Sequence, residues 1–217
     1  MDIIFKLLLL VPVIISSYFL FINIGILSIY PIWLLCGLID VSRHKTMDLK
    51  LIKEYFLGKG FLTFILSPLN LFADLLSFRN LHTFKIEDLP IGHQDEINAV
   101  VSLFDKNSKE ITDRFKENID DNRTMLFYKW YGYKLDESIE EFNNDYKYIK
   151  TIGVSLFRQK TSTSRHFGPL RMTYRILYNF NNVKKEGSYI EADGRINKWK
   201  YEPLFIFDDT LIHQSFN

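Results

Sequence analysis

The feature that most restricts how this chain can fold is its first forty residues, because no residue from Leu7 to Ile39 is charged. A straight helix over this run would be about 50 Å long at ~1.5 Å per residue. The hydrocarbon core of a bilayer is only about 30 Å thick. The run therefore predicts a membrane anchor over residues 1–40, either one tilted span or a helical hairpin that folds back at Asn23-Ile24-Gly25.

The charges that flank this run predict an orientation. Arg43, Lys45, Lys50 and Lys53 follow the run, whereas Lys6 is the only basic side chain before it. Cytoplasmic flanks of membrane segments carry the excess of Lys and Arg. We therefore expect the part of the chain after residue 40 in the cytoplasm.

Composition excludes several classes of function. The 217 residues leave room for one domain and an appendage. The 27 basic residues nearly balance the 26 acidic ones, so we expect no nucleic-acid partner. Because Cys36 is the only cysteine, a disulfide framework and a cysteine-based zinc site are both excluded.

Residues 41–120 are predicted to form an interfacial and helical region. The apolar stretch Tyr55–Phe78, interrupted by Pro68, indicates either a segment lying on the bilayer or a buried helix pair. Apolar residues recur at helical spacing from Ile97 to Phe115, which predicts an amphipathic helix. The polar stretch Asp136–Tyr148 also indicates a helix.

The pattern changes to a period of two after Ile149, and residues 121–217 are predicted to form a β domain. Asp193-Gly194 is a two-residue hairpin signal. Strands of this length and spacing favour a sandwich or barrel. The expected strands are Thr151–Phe157, Met172–Phe180, Tyr189–Ala192, Arg195–Trp199, Leu204–Phe207 and Leu211–Phe216.

Two histidine motifs lie in this β region, Arg165-His166-Phe167-Gly168-Pro169 and Phe207-Asp208-Asp209-Thr210-Leu211-Ile212-His213. Non-haem Fe(II) sites use two histidines and usually a carboxylate, leaving other positions open. The usual His-x-Asp motif here has Gly168 in place of the aspartate. Asp208 and Asp209 are the nearest carboxylates in sequence, and alternation along a strand points one of them to the side of His213. Capping a turn or orienting an imidazole is the role we favour for them.

These motifs resemble the aspartyl/asparaginyl β-hydroxylase family of Fe(II)- and 2-oxoglutarate-dependent dioxygenases. The resemblance rests on His166-x-Gly168-Pro169, on Arg175 nine residues after His166, on Phe207-Asp208-Asp209-Thr210-x-x-His213 and on Ser155 eleven residues before His166. It implies a double-stranded β-helix (jelly-roll) domain in which His166 and His213 bind Fe(II). It also implies that Ser155 and Arg175 bind 2-oxoglutarate.

The N-terminal half resembles the bacterial lipid A 2-hydroxylases, which begin with a hydrophobic anchor. This resemblance implies a bacterial inner-membrane enzyme whose substrate is a lipid, although those enzymes carry His-x-Asp where this chain has Gly168. Two other family features differ. Leu177 stands where the family has a cosubstrate-contacting histidine, and the sequence ends before the position of the family's C-terminal cosubstrate arginine and last strand.

We therefore expect a mainly β fold behind a transmembrane segment and a helical linker. The expected function is a membrane-anchored dioxygenase that uses O₂ to hydroxylate a C–H bond of a lipid acyl chain or of an Asp or Asn residue. The alternative is an inactive pseudo-hydroxylase or a membrane-tethered, ligand-binding β domain.

Overall fold

A computed structural model describes residues 11–12, 14–16, 18–19, 21–23, 25, 29–45, 48–76, 83–117, 123–136, 138–171, 173–181, 183–184 and 186–217. The beginning of the predicted membrane anchor, residues 1–10, lies outside these ranges. The predicted boundary between residues 120 and 121 also lies outside them.

Within the described residues from Tyr30 onward, six helices precede most of the strands, and their ends follow from local sequence. Pro31 lies in the first turn of the first helix, where a missing N–H is tolerated. The side chain of Asp48 caps the second helix by accepting a hydrogen bond from Leu51 N at 2.6 Å. The helices are α1 Tyr30–Val41, α2 Leu49–Leu57, α3 Phe61–Ile65, α4 Ser67–Leu76, α5 Ile91–Lys106 and α6 Ser108–Glu117.

The part of the chain that the structure describes contains nine strands in three small antiparallel sheets, with orders β1-β8-β5, β3-β2-β4 and β7-β6-β9. The hairpin at Asp193-Gly194 is confirmed, because both residues have positive φ and join β6 to β7. The strands are β1 Thr83–Phe84, β2 Arg123–Trp130, β3 Tyr133–Lys134, β4 Ile152–Phe157, β5 Tyr174–Tyr178, β6 Tyr189–Ala192, β7 Arg195–Lys198, β8 Leu204–Asp208 and β9 His213–Phe216.

The predicted fold class, a mainly β jelly-roll domain behind a transmembrane segment, is wrong. Helices account for 44% of the described residues and strands for 23%, so the fold is mixed. The strands predicted after residue 149 are present, but they pair into three separate small sheets. The polar stretch 136–148 contains only a 3₁₀ turn, Glu140–Asn143, where a helix was predicted. The period-two pattern predicted the strands of the C-terminal half, but the fold class was assigned from that half alone, whereas the helices of the N-terminal half make the fold mixed.

Within the described residues, no helix combines the length and the apolar character needed to cross a membrane. The described part of the apolar stretch Tyr55–Phe78 contains α3 and α4, and a helical form is common to both interpretations of this stretch. Pro68 lies in the first turn of α4, so it starts a new helix after the short α3.

Helices α1 to α3 pack directly on the segments that carry the two histidines. Phe167 follows His166, and Ile212 precedes His213. Both apolar side chains are buried in one cluster with residues of these helices, Val41, Leu51, Tyr55 and Phe64. Successive residues of an extended chain point to opposite faces. Burial of Phe167 and Ile212 on the helical side therefore directs the two histidines to the other side.

Helices α3 and α4 also hold the backbone next to His166. Thr63 Oγ1 donates to the carbonyl of Gly168 at 3.1 Å. Asn70 donates from Nδ2 to the carbonyl of Pro169 at 3.2 Å and accepts from the backbone N–H of Arg171 at 2.8 Å. These bonds satisfy buried backbone groups that no strand partner reaches. They fix the path of the chain just after the first histidine.

A group of buried charges, which we call the buried ion cluster, joins the same helices to the β region. Its members are Arg43, Arg171, Asp40, Asp74 and Asp208. The Arg171 side chain is fully buried; its Nε lies 2.9 Å from Asp74, its Nη1 lies 3.5 Å from Asp208, and Nη2 pairs with Asp40. Arg43 Nη2 lies 3.4 Å from Asp208. The two guanidiniums are thus enclosed by three carboxylates.

Replacing Arg171 with Met should be strongly destabilising. The variant keeps three buried carboxylates but only one guanidinium, and an uncompensated buried charge typically costs about 3–5 kcal/mol. Urea unfolding would measure this loss. Arg195→Met is the matched control, since the Arg195 side chain is 41% exposed and should change stability by less than about 0.5 kcal/mol. Equal effects of the two substitutions would contradict a structural role for the cluster.

Candidate functional site

The structure brings the two predicted metal ligands, His166 and His213, side by side. Their backbones form an isolated antiparallel bridge. The N–H of His166 donates to the His213 carbonyl at 3.2 Å, and the N–H of His213 donates back at 3.0 Å. Directly opposed residues of an antiparallel pair place their side chains on the same face. The imidazole centroids are accordingly 4.2 Å apart.

Each imidazole is held in one tautomer by a backbone carbonyl two residues earlier in the chain. His166 Nδ1 lies 2.7 Å from the Ser164 carbonyl, and His213 Nδ1 lies 2.8 Å from the Leu211 carbonyl. A carbonyl oxygen only accepts hydrogen bonds, so Nδ1 must carry the proton in both rings. In a neutral ring the lone pair is then on Nε2, which is the atom that binds a metal.

The surroundings of His213 keep its ring neutral. Burial lowers the pKa of His213 to about 3, and the neighbouring His166 and Arg175 act in the same direction. The hydrogen bond to the Leu211 carbonyl opposes this shift. The edge of the ring packs against Phe207, with centroids 5.0 Å apart. A buried neutral imidazole is in the protonation state that metal coordination requires.

The carboxylate of Asp209 fills the space beside Gly168. A Cβ added to Gly168 would lie 2.3 Å from Asp209 Cγ and 2.5 Å from the Asp209 carbonyl oxygen. That carbonyl accepts a hydrogen bond from the Gly168 N–H at 2.8 Å. Glycine is therefore required at this position by close approach of the second motif. A carboxylate therefore lies beside Gly168, where the His-x-Asp motif has its own aspartate, but it comes from Asp209.

Arg175 holds the carboxylate of Asp209 with two parallel hydrogen bonds. Arg175 Nε donates to Oδ1 at 2.9 Å and Nη2 donates to Oδ2 at 3.1 Å. Such bidentate pairs fix both the position and the plane of a carboxylate. Asp209 Oδ1 lies 4.0 Å from His213 Nε2, which is beyond hydrogen-bonding distance. Asp209 therefore faces the histidine pair while Arg175 occupies both of its oxygens.

Asp208 points the other way, as alternation along a strand requires. Its Oδ1 accepts from Thr210 N at 2.8 Å and from Thr210 Oγ1 at 2.6 Å, which caps the turn after β8. Its Oδ2 belongs to the buried ion cluster. The two neighbouring aspartates thus have different surroundings, one in the cluster and the other beside the histidines.

This arrangement fits a metal held by two histidines. Both Nε2 atoms carry lone pairs, and the described residues give neither atom a hydrogen bond. Among those residues, no three His, Cys, Asp or Glu side chains form a group that could hold a metal ion. The candidate donors that the described residues offer here are the two imidazoles, and a metal bound by them would fill its other coordination positions with water or small ligands. Two nitrogens and exchangeable oxygens suit Fe(II).

The sequence matches no family model, and no curated protein or solved structure matches it either.

The two residues expected to bind the cosubstrate lie in different settings. Arg175 is in β5 and is paired with Asp209. Ser155 is in β4, where its Oγ accepts a hydrogen bond from Arg123 Nε at 2.9 Å. Leu177 packs on the core formed by β6, β8 and the turn that follows β8. Sequence reasoning missed Arg123, because its contact with Ser155 joins strands that are far apart along the chain.

The close approach of Gly168 and Asp209 predicts that Gly168→Ala will be destabilising. The added methyl group must push apart two backbone segments that share a hydrogen bond, and overpacking of this kind costs about 1–3 kcal/mol. Urea unfolding would measure the loss. Gly187→Ala is the matched control, because a Cβ there meets no atom within 4 Å. A Gly168→Ala variant as stable as this control would contradict the packing described here.

Proposed function

We propose that this chain is an Fe(II)- and 2-oxoglutarate-dependent dioxygenase that hydroxylates a C–H bond. The observation that carries the proposal is the histidine pair, in which both rings share one face and both Nδ1 atoms are engaged by backbone carbonyls. Backbone carbonyls orient metal-binding histidines in this way in many proteins. The motif resemblance to aspartyl/asparaginyl β-hydroxylases, carried by His166, Gly168, Asp209 and His213, supports the same chemistry.

His166 and His213 would hold the iron through Nε2. Bound Fe(II) would supply O₂ activation, with one oxygen atom entering the substrate C–H bond and the other entering the succinate formed as 2-oxoglutarate loses CO₂. Asp209, fixed by Arg175, would orient a water or ligand beside the histidines, since its carboxylate faces them without reaching bonding distance. Phe207 and the burial of His213 exclude water from one side of the site.

Removal of either histidine should abolish metal binding and turnover together. Loss of groups that merely orient metal ligands lowers affinity by about 10- to 100-fold, so His166→Ala and His213→Ala should each lower Mn(II) affinity by more than roughly 100-fold. Mn(II) affinity can be followed by electron paramagnetic resonance, and succinate formation can be measured with Fe(II), ascorbate and 2-oxoglutarate.

His93→Ala is the matched control for these variants, because His93 stacks on Tyr148, with ring centroids 3.8 Å apart, away from the two motifs. Mn(II) affinity that is unchanged in His166→Ala and His213→Ala would overturn the proposal. Binding of metal and 2-oxoglutarate without succinate formation would instead identify a ligand-binding relative without activity.

An apolar surface on the helices favours a membrane as a partner of this enzyme. The residues that α4 buries include Ser67, Asn70 and Asp74, whereas the residues it exposes are all apolar. A helix at a water-exposed surface normally buries its apolar face and exposes its polar face, so α4 has the opposite arrangement. We call the large exposed apolar residues of α1, α3 and α4 the outer apolar face: Tyr30, Leu34, Leu38, Phe61, Leu62, Ile65, Leu69, Phe72, Leu75 and Leu76.

A contiguous apolar surface of this size marks an interaction site. The described residues before α1 are apolar and exposed as well, among them Ile14, Phe19 and Ile22. Lys50 and Lys53 on α2 are exposed as well, and such cations attract anionic headgroups. We infer that the outer apolar face lies against the lipid surface, so a lipid acyl chain is the substrate class that the surface favours over an Asp or Asn side chain.

Membrane binding should therefore be sensitive to charge on this face. Leu69→Glu combined with Phe72→Glu should weaken binding to phosphatidylethanolamine/phosphatidylglycerol vesicles at least about tenfold. An apolar side chain of this size that is buried in the lipid on docking contributes roughly 1.5–3 kcal/mol to the binding free energy. Vesicle flotation measures this. Leu135→Glu is the control, since Leu135 is 60% exposed and follows the β2–β3 hairpin. Equal flotation of the double variant and the control would contradict membrane docking through this face.

A further inference from the structure

The carboxylate of Asp209 lies close enough to the histidine pair to reach a metal ion bound there. Its Oδ1 is 4.0 Å from His213 Nε2. Two ligand atoms that each lie about 2.0–2.2 Å from one metal ion are separated by roughly 3–4 Å. The distance between this oxygen and this nitrogen therefore falls within the range for two ligands of one metal. Distance alone does not keep Asp209 from coordination.

The backbone of Asp209 is fixed on both sides. Its N–H donates to the Thr173 carbonyl at 3.0 Å, next to the paired residues of β5 and β8, and its carbonyl accepts from the Gly168 N–H at 2.8 Å. A Cβ added to Gly168 would lie 2.3 Å from Asp209 Cγ, so the first histidine motif leaves room for the carboxylate. Asp209 can consequently redirect its carboxylate only by rotation of its own side chain.

Arg175 sets the direction of this carboxylate. Arg175 lies opposite Phe207 in the pairing of β5 with β8, and residues two apart on a strand share a face. The guanidinium therefore reaches Asp209 diagonally from the neighbouring strand. Its Nε donates to Oδ1 at 2.9 Å and its Nη2 donates to Oδ2 at 3.1 Å. Both oxygens thus accept charge-assisted hydrogen bonds, which fix the plane of the carboxylate.

The two partners of this ion pair differ in exposure. The Arg175 side chain is 46% exposed, whereas that of Asp209 is 12% exposed. Within the described part of the chain, Arg175 is the one Lys or Arg that forms an ion pair with Asp209. Loss of Arg175 would leave a largely buried carboxylate without its cation, which is unfavourable. A divalent metal held by the histidines is then the nearest charge that can compensate it.

We propose that Arg175 controls how many protein ligands the metal has, because it holds Asp209 in an orientation that keeps the carboxylate off the metal. This proposal rests on the proposed function, since it takes the histidine pair as the metal site. Without Arg175, the Asp209 side chain rotates toward His213 and becomes a third ligand, which gives the set of two histidines and one carboxylate. This positioning role differs from the cosubstrate contact that the family resemblance implies for Arg175.

Arg175→Met tests this role through metal binding alone. The released carboxylate should raise the affinity for Mn(II) by about tenfold or more, since changes beside metal ligands commonly alter affinity by about 10- to 100-fold. It should also displace one water from the bound Mn(II), which water-proton relaxation measures. Arg195→Met is the matched control, because the Arg195 side chain is 41% exposed and contacts Glu202 and Thr83. It should change neither quantity.

Two further variants separate coordination by Asp209 from the loss of a positive charge near the metal. Arg175→Lys keeps the charge but lacks the planar fork that holds both oxygens, so it should show part of the gain in Mn(II) affinity. Arg175→Met combined with Asp209→Asn should bind Mn(II) no more tightly than Asp209→Asn alone, because a neutral amide then replaces the carboxylate.

A gain in affinity that persists when Asp209→Asn is present overturns the proposed role of Arg175, since charge alone would explain it. The absence of a gain in both Arg175→Met and Arg175→Lys overturns it as well. Either result leaves the proposed function standing if His166→Ala and His213→Ala still abolish Mn(II) binding. Failure of the wild-type chain to bind Mn(II) overturns the proposed function together with this proposal.

Discussion

The buried ion cluster is the interaction on which the rest of the structure depends. Arg171 is five residues after His166, and Asp208 is five residues before His213, so both histidine-bearing segments are anchored at the same place. Taking several charges out of water is unfavourable unless each one is matched. Asp40 and Asp74 provide that match for Arg171. The helices α1 and α4 are consequently needed to supply the carboxylates that neutralise the buried guanidinium of Arg171.

This requirement explains why the helices have inverted polarity. Because α1 and α4 must present Asp40 and Asp74 to the cluster, these two charges lie on the buried sides of the helices, and the residues that both helices expose are apolar. A lipid surface would remove the outward apolar area from water, which stabilises the docked state by roughly 25 cal/mol per Å². The buried charges and the exposed apolar side chains thus have one common cause. Under the proposed function, the same arrangement brings the histidine pair near a bilayer without placing it inside one.

Local patterns predicted much of the secondary structure, because period and turn chemistry are properties of neighbouring residues. The hairpin at Asp193-Gly194 and the strands after residue 149 are examples. The pairing of His166 with His213 was accessible through motif spacing. The buried ion cluster could not be predicted in this way, since Asp40 lies 131 residues and Asp74 lies 97 residues before Arg171 in the chain. The sequence nevertheless indicates that these two aspartates have buried partners. Asp40 ends an uncharged run and Asp74 interrupts an apolar stretch, and a charge buried in such surroundings needs a partner.

The two adjacent aspartates explain how one turn serves both stability and the site. Alternation turns Asp208 into the cluster and Asp209 toward the histidines. Gly168 gives Asp209 the space that a side chain would occupy, and Arg175 then takes up both carboxylate oxygens. A carboxylate held this firmly, 4.0 Å from His213 Nε2, is placed to orient a ligand rather than to bind the metal. A metal at this site would therefore keep more open positions than one bound by two histidines and a carboxylate, and a chelating cosubstrate and O₂ need such positions.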